Sequence, residues 1–86
     1  MQVLNGNGIS GSASSVRDQL VAAGFVVDKV ANASRFTYTK TTIYFKTGKD
    51  AEAELVKSAL TGHDVESFNN DAVVGDYDVI VVVGKT

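Results

Sequence analysis

The chain has 86 residues, a net charge of −2 and no cysteine, enough for one small domain that buries roughly 60–65% of its unfolded surface. Its eight Lys and Arg are scattered singly, so it lacks the basic footprint that counterion release from phosphates requires; neither nucleic acid nor a membrane surface is expected as a partner. With no cysteine, disulfides and thiolate metal sites are excluded; with the single histidine His63 and no H-x-x-x-H spacing, no zinc, other metal or cofactor is expected.

Met1 leads directly into a short strand, Gln2 to Asn5, with no signal peptide ahead of it. That leaves two expectations: a cytosolic protein, or a domain cut from a longer chain. Asn5-Gly6-Asn7-Gly8 reads as a turn, because Gly and Asn tolerate positive φ. Ser10 or Ser12 is placed to cap a helix on which Ala13, Val16, Leu20 and Ala23 recur at helical spacing, and Gly24 closes it. Phe25 to Val30, rich in β-branched and aromatic residues, is the second predicted strand.

A polar connection, Ala31 to Thr41, leads to a strand over Thr42 to Lys46, with Ile43 and Phe45 on one face and Thr42, Tyr44 and Lys46 on the other. Thr47 with Asp50 resembles a capping box. The second helix is expected to bury Ala51, Leu55, Val56, Ala59 and Leu60, and to end at Gly62. Asp64 to Phe68, with mixed faces, suits an edge strand. Asn69 to Asp76 reads as a loop. Val79 to Val83 is apolar at every position, so both its faces are covered and it belongs in the centre. The order β-α-β-β-α-β-β, with two halves of equal length, predicts an α/β two-layer fold: a mixed sheet in a split β-α-β arrangement with both helices on one face.

Gly6, Gly8 and Gly11 spell G-x-G-x-x-G, and Asp28 follows near where a dinucleotide fold places its ribose acid. That fold needs its first two strands side by side, whereas a split arrangement puts another strand between them. Asp28 also precedes the end of its strand. The glycines are therefore expected to be structural: Gly6 and Gly8 for a tight turn, Gly11 for close packing.

The stretch "VLNGNGISGSASSVRDQLVAAGFVVDKVANASRF" resembles the opening of the LytR C-terminal domain family (LytR_C), in which a strand ending Leu-Asn-Gly leads to Gly-x-Ser-Gly and a helix ending Ala-Gly-Phe. The segments "SRFTYTKTTIYFKTGKDAEAELVKSAL" and "DVIVVVGKT" extend the resemblance over the whole chain. It implies a single domain, residues 1–86, excised from a membrane-anchored, extracytoplasmic protein of the Gram-positive or actinobacterial envelope. Some such proteins also carry a LytR-CpsA-Psr domain that attaches glycopolymers to peptidoglycan; its arginine-rich site has no counterpart here. The resemblance implies a non-catalytic accessory domain that contacts cell-wall glycan, an envelope protein or the rest of its own chain. The alternative is a regulatory domain that binds a small molecule or anion at the turn Gly6–Gly11.

Arg35 and Tyr38 are of the types that anchor interfaces; in the plainer reading Phe36 plugs the core edge and Arg35 pairs with an acid. Tyr44, with Thr42 and Lys46, is a candidate for an open-face patch that takes a glycan or a partner strand. Asn5 is a candidate ligand contact, although hydrogen bonds within its own turn are the preferred reading. His63 sits where it would favour the end of the second helix. Asp71, Asp76 and Asp78 do not have EF-hand spacing, and the serines near Gly11 lack a histidine partner for hydrolysis.

Overall fold

The computed structural model describes residues 1–34, 36–60, 62 and 64–85. The chain forms β1 (Gln2–Asn5), α1 (Ser12–Ala22), β2 (Lys29–Asn32), β3 (Thr41–Phe45), α2 (Asp50–Ala59), β4 (Val65–Asn69), α3 (Asp71–Val74) and β5 (Val79–Val83). The five strands make one mixed sheet in the order β2-β1-β5-β3-β4. β2, β1 and β5 run parallel, β5 and β3 antiparallel, and β3 and β4 parallel. The α/β class, the mixed sheet, the central β5 and the edge position of β4 are as the sequence predicts.

The split arrangement is not. β1 pairs β2 directly, Gln2 with Lys29 through Asn5 with Asn32, and β3 pairs β4 in the same way. Each half is thus a closed β-α-β unit, and the valine-rich β5 joins the two units in the middle. Only a strand with both faces apolar suits that seam, and all five of its residues are buried.

α1 and α2 lie on the same face of the sheet. Ala13, Val16 and Leu20 of α1 meet Ala53, Val56 and Leu60 from α2 and its cap over Val3, Ile43, Val79 and Val81. The Gln19 amide adds a cross-link to the Ala59 carbonyl at 3.1 Å. α1 ends in a Schellman turn: Phe25 N–H donates to Leu20 O and Gly24 N–H to Val21 O, both at 3.0 Å, with Gly24 at φ 97°. That turn consumes Phe25, so β2 starts at Lys29 and not at Phe25.

Other expectations fail at single positions. Gly11, and not a serine, is the N-cap residue of α1, and Ser12 is its first helical residue. Thr47 turns toward Asp71 and leaves Lys49 at the start of α2. On α2 the buried stripe is Ala53–Val56–Leu60; Ala51 and Leu55, and likewise Ala23 after α1, are exposed. The segment after β4 is not all loop, because Asn70 accepts the Val73 N–H and caps α3. α3 brings Val74 and Tyr77 onto the other face of the sheet, against Ile80 and Val82.

Candidate functional site

The glycine turn is built around Asn5, the last residue of β1 and only 8% exposed. Its Oδ1 accepts from the Asn7 and Gly8 N–H groups, both at 3.1 Å, and its Nδ2 donates to Ile9 O at 2.8 Å. The preferred reading of Asn5, bonded within its own turn, matches this geometry. Asn7 reaches further: its Nδ2 donates to Gly84 O at 2.8 Å and to Ser12 Oγ at 3.1 Å. The turn, the start of α1 and the end of β5 are thereby tied together.

Within this turn, Gly6 is the glycine that packing requires. A Cβ there would lie 2.6 Å from Val82 Cγ1, 2.8 Å from Tyr38 Cδ2 and 2.9 Å from Val83 O. Gly11 has open space beside it and is needed for its φ of 85°, which corrects the expectation that it serves close packing. Gly8 combines a φ of 75° with the Phe36 ring lying over it.

Beside this turn, where the parallel strands β1 and β5 end, a cleft of about 250 Å³ opens. Asn7, Ile9, Ser12, Ser15, Val83 and Lys85 line it. Open α/β sheets take ligands outside the carboxyl ends of parallel strands, so the cleft is one candidate site. It is not a dinucleotide site, although β1 and β2 are adjacent after all. Asp28 precedes β2, and its N–H donates to Met1 O at 2.9 Å, at the opposite end of the sheet from the glycines. The residue that ends β2 beside the turn is Asn32, which offers no carboxylate.

A second candidate lies on the face away from α1 and α2. Tyr38 crosses that face with its N–H on Gly6 O and its carbonyl accepting from Lys85 N–H, both at 3.2 Å. Its hydroxyl is 3.4 Å from that of Tyr44. Register sets Tyr44 beside Phe68 of β4, with ring centroids 6.3 Å apart, within the range of favourable aromatic pairs. Phe68 is 50% exposed. Beside this strip Lys40 Nζ lies 3.4 Å from Glu66 and 3.8 Å from Asp64.

The structure thus brings Tyr38 and Tyr44 together, but not the patch read from β3 alone. Thr42 is buried, with its hydroxyl on Lys40 O, and Lys46 lies beyond the strand. Phe68 takes their place; the signal for it was the period-2 alternation of β4 once its register with β3 was known. Phe36 is not a plug in the core edge but about half exposed. Arg35 and His63 lie outside the described residues.

The acidic loop has a structural use. Asp71 Oδ1 accepts from Thr47 N–H at 2.8 Å, Thr47 Oγ1 at 3.1 Å and Asn69 Nδ2 at 3.0 Å. The Thr47 amide is the chief reason its carboxyl titrates below the ordinary value of 3.8. Asp78 faces Lys49 at 3.7 Å. Among the described residues no three acidic or histidine side chains converge as a metal site.

The architecture is that of a small two-layer α/β domain whose two β-α-β units share one central strand. The chain belongs to the family described as LytR cell envelope-related transcriptional attenuator, whose model matches residues 1–86. It is similar to the soluble domain (residues 71–217) of a conserved hypothetical secreted protein from Mycobacterium marinum, an Rv2700 ortholog. The TM-score is 0.71 and the identity 27%, over 98% of this chain and 57% of that one. The chain therefore spans little more than half the length of that domain. It is also similar to the C-terminal domain of RV0431, with a TM-score of 0.61 and 36% identity over 96% of this chain and 69% of that one. No curated protein matches the chain. Among the described residues no helix is long and apolar enough to cross a membrane.

Proposed function

We propose that this is a non-catalytic, extracytoplasmic contact domain of a cell-envelope protein, and that its aromatic strip Tyr38–Tyr44–Phe68 meets cell-wall glycan or an envelope protein. The observation that carries this reading is Phe68, half exposed beside Tyr44 on a free edge strand. Burying that ring elsewhere would be favourable by about 25 cal/mol per Å² of apolar surface, and a rigid aromatic face is the kind of surface that anchors an interface or stacks on a sugar ring. Family membership and the secreted relative support the envelope setting. Arg35, in the same polar stretch of the sequence as Tyr38, is kept as a proposed contact residue.

The test is binding to purified Gram-positive cell wall, with and without its anionic glycopolymers. Phe68→Ala should abolish retention while the far-UV circular dichroism stays unchanged, and Arg35→Ala should weaken it. Tyr38→Ala is a poorer probe, because that ring packs over Gly6 and its loss disturbs the turn. Retention by Phe68→Ala equal to wild type would end the assignment to this strip. Failure of the wild type to bind either wall preparation would point to a protein partner, including the rest of its own chain.

The cleft beside the glycine turn favours a second reading, a small-molecule or anion regulatory site with Lys85 and Ser12 in its lining. Inorganic phosphate would then raise the melting temperature of the wild type and not that of Lys85→Ala.

A further inference from the structure

The glycine turn holds two successive Asn-Gly pairs, Asn5-Gly6 and Asn7-Gly8. Such a pair can rearrange with no enzyme. The glycine nitrogen gives its proton to solvent base and attacks the Asn Cγ; a C–N bond closes a five-membered imide, and the side-chain nitrogen leaves as ammonia. Water then opens the imide at either carbonyl, leaving aspartate or isoaspartate. Glycine permits the attack because it has no Cβ to crowd the ring.

The fold closes the two pairs in different ways. Gly6 is buried, and its N–H continues the β1–β5 ladder by donating to Val83 O at 2.9 Å. Freeing that nitrogen means opening the sheet. Gly8 is exposed, and its N–H donates to the side chain of Asn5 at 3.1 Å. The Asn7 amide is held at both ends, its Oδ1 by Ile9 N–H at 2.8 Å and its Nδ2 by Gly84 O and Ser12 Oγ. Opening of the turn alone frees this pair.

We propose that Asn7 is a latent self-modification site, kept closed by the Asn5 side chain, and that its conversion is a one-way release of the turn from the end of β5. A carboxylate at position 7 has no N–H for the Gly84 carbonyl and faces that oxygen with like partial charge. The tether cannot re-form. This inference does not depend on what the aromatic strip binds.

The experiment follows conversion by mass spectrometry of proteolytic fragments, with isoaspartate scored separately, at mildly alkaline pH in buffer and in denaturant. Asn7 should convert at least about tenfold more slowly in the folded chain than in the unfolded one, since the rate is scaled by the population of the opened turn. Asn5 should be slower still. In Asn5→Ala, verified as folded, Asn7 should convert several-fold faster than in the wild type. Asn5→Asp keeps the acceptor for Gly8 N–H but loses the Nδ2 bond to Ile9 O, so Asn7 should convert faster than in the wild type and more slowly than in Asn5→Ala. Equal folded and unfolded rates at Asn7, conversion of Asn5 ahead of Asn7, or no acceleration in folded Asn5→Ala would each overturn the proposal. Should Asn5→Ala not fold, the folded and unfolded wild-type rates at Asn7 and Asn5 decide the question.

Discussion

The two β-α-β units have the same architecture and differ in how they lead into their helices. In the first, residues 6–11 separate β1 from α1. Left-handed Gly11 stands at the helix start without a side-chain cap, and no acidic residue follows in the first turn. In the second, residues 46–49 suffice, and Asp50 and Glu52 occupy the first turn of α2, where carboxylates offset the positive end of the helix dipole. Neither helix has a side-chain cap, but the second unit offsets its helix dipole with first-turn acids of its own. The first spends its polar groups on the turn: Asn5 and Asn7 hold loop, helix and β5 together, and the cleft opens beside them. The same fold therefore yields one short junction with acids at its helix start and one longer junction packed closely at Gly6 and tied to β5 by side-chain bonds.

Glycine substitution breaks this comparison most sharply. At Gly6 an added Cβ meets Val82, Tyr38 and the Val83 carbonyl oxygen below 3.0 Å. The carbonyl oxygen belongs to the central strand and cannot give way. Gly6→Ala should cost about 1–3 kcal/mol, the range for overpacking, and lower the melting temperature by on the order of 10 °C for a domain of this size. At Gly48, in the loop before α2, φ is 89° but nothing lies within 4 Å. Gly48→Ala should cost only the left-handed strain, about 1–2 kcal/mol. Parallel thermal unfolding of the two variants checks the pair; equal losses would mean that the first junction is no tighter than the second.

Much of this was legible in the sequence because it depended on local period or local chemistry. Five apolar residues in a row placed β5 in the centre, and alternation put Ile43 and Tyr44 on opposite faces of β3. The Asn-Gly repeat announced its turn. What failed was non-local. The order of strands depends on how two β-α-β units share a sheet, which no periodicity encodes, so the split arrangement was as consistent with the pattern as the one found. Thr47 looked like a helix cap because its stronger partner, Asp71, lies 24 residues away in sequence. The aromatic strip was half legible: Tyr38 and Tyr44 stood out as residue types, whereas Phe68 joins them only through the β3–β4 register. Leu55 shows the converse error, an apolar residue at a plausible spacing that the fold leaves 62% exposed.

The smallest expected effect concerns the way the second unit is closed, and pH is its probe. Asp71 ties the loop before α2 to β4 and α3 through Thr47 and Asn69. Its carboxyl titrates below 3.8 in the folded chain, chiefly because the Thr47 N–H donates to the ionised form. The folded state therefore binds this proton less readily than the unfolded state. The stabilisation is fully present above the unfolded value near 3.8 and is lost as pH falls through the lower folded value. Because the carboxylate is fully exposed to solvent, the effect should be small and should shrink further with added salt. Urea unfolding of wild type and Asp71→Asn from neutral pH to about pH 2 isolates it. The variant keeps an acceptor for Thr47 but has no charge to lose, so the two stability curves should differ most near neutral pH and converge at the acid end. Curves separated by a constant offset would show that Asp71 acts through shape and hydrogen bonding alone. The second junction would then owe its closure to its short loop and to the hydrogen bonds on Asp71, not to the charge of the carboxylate that spans it.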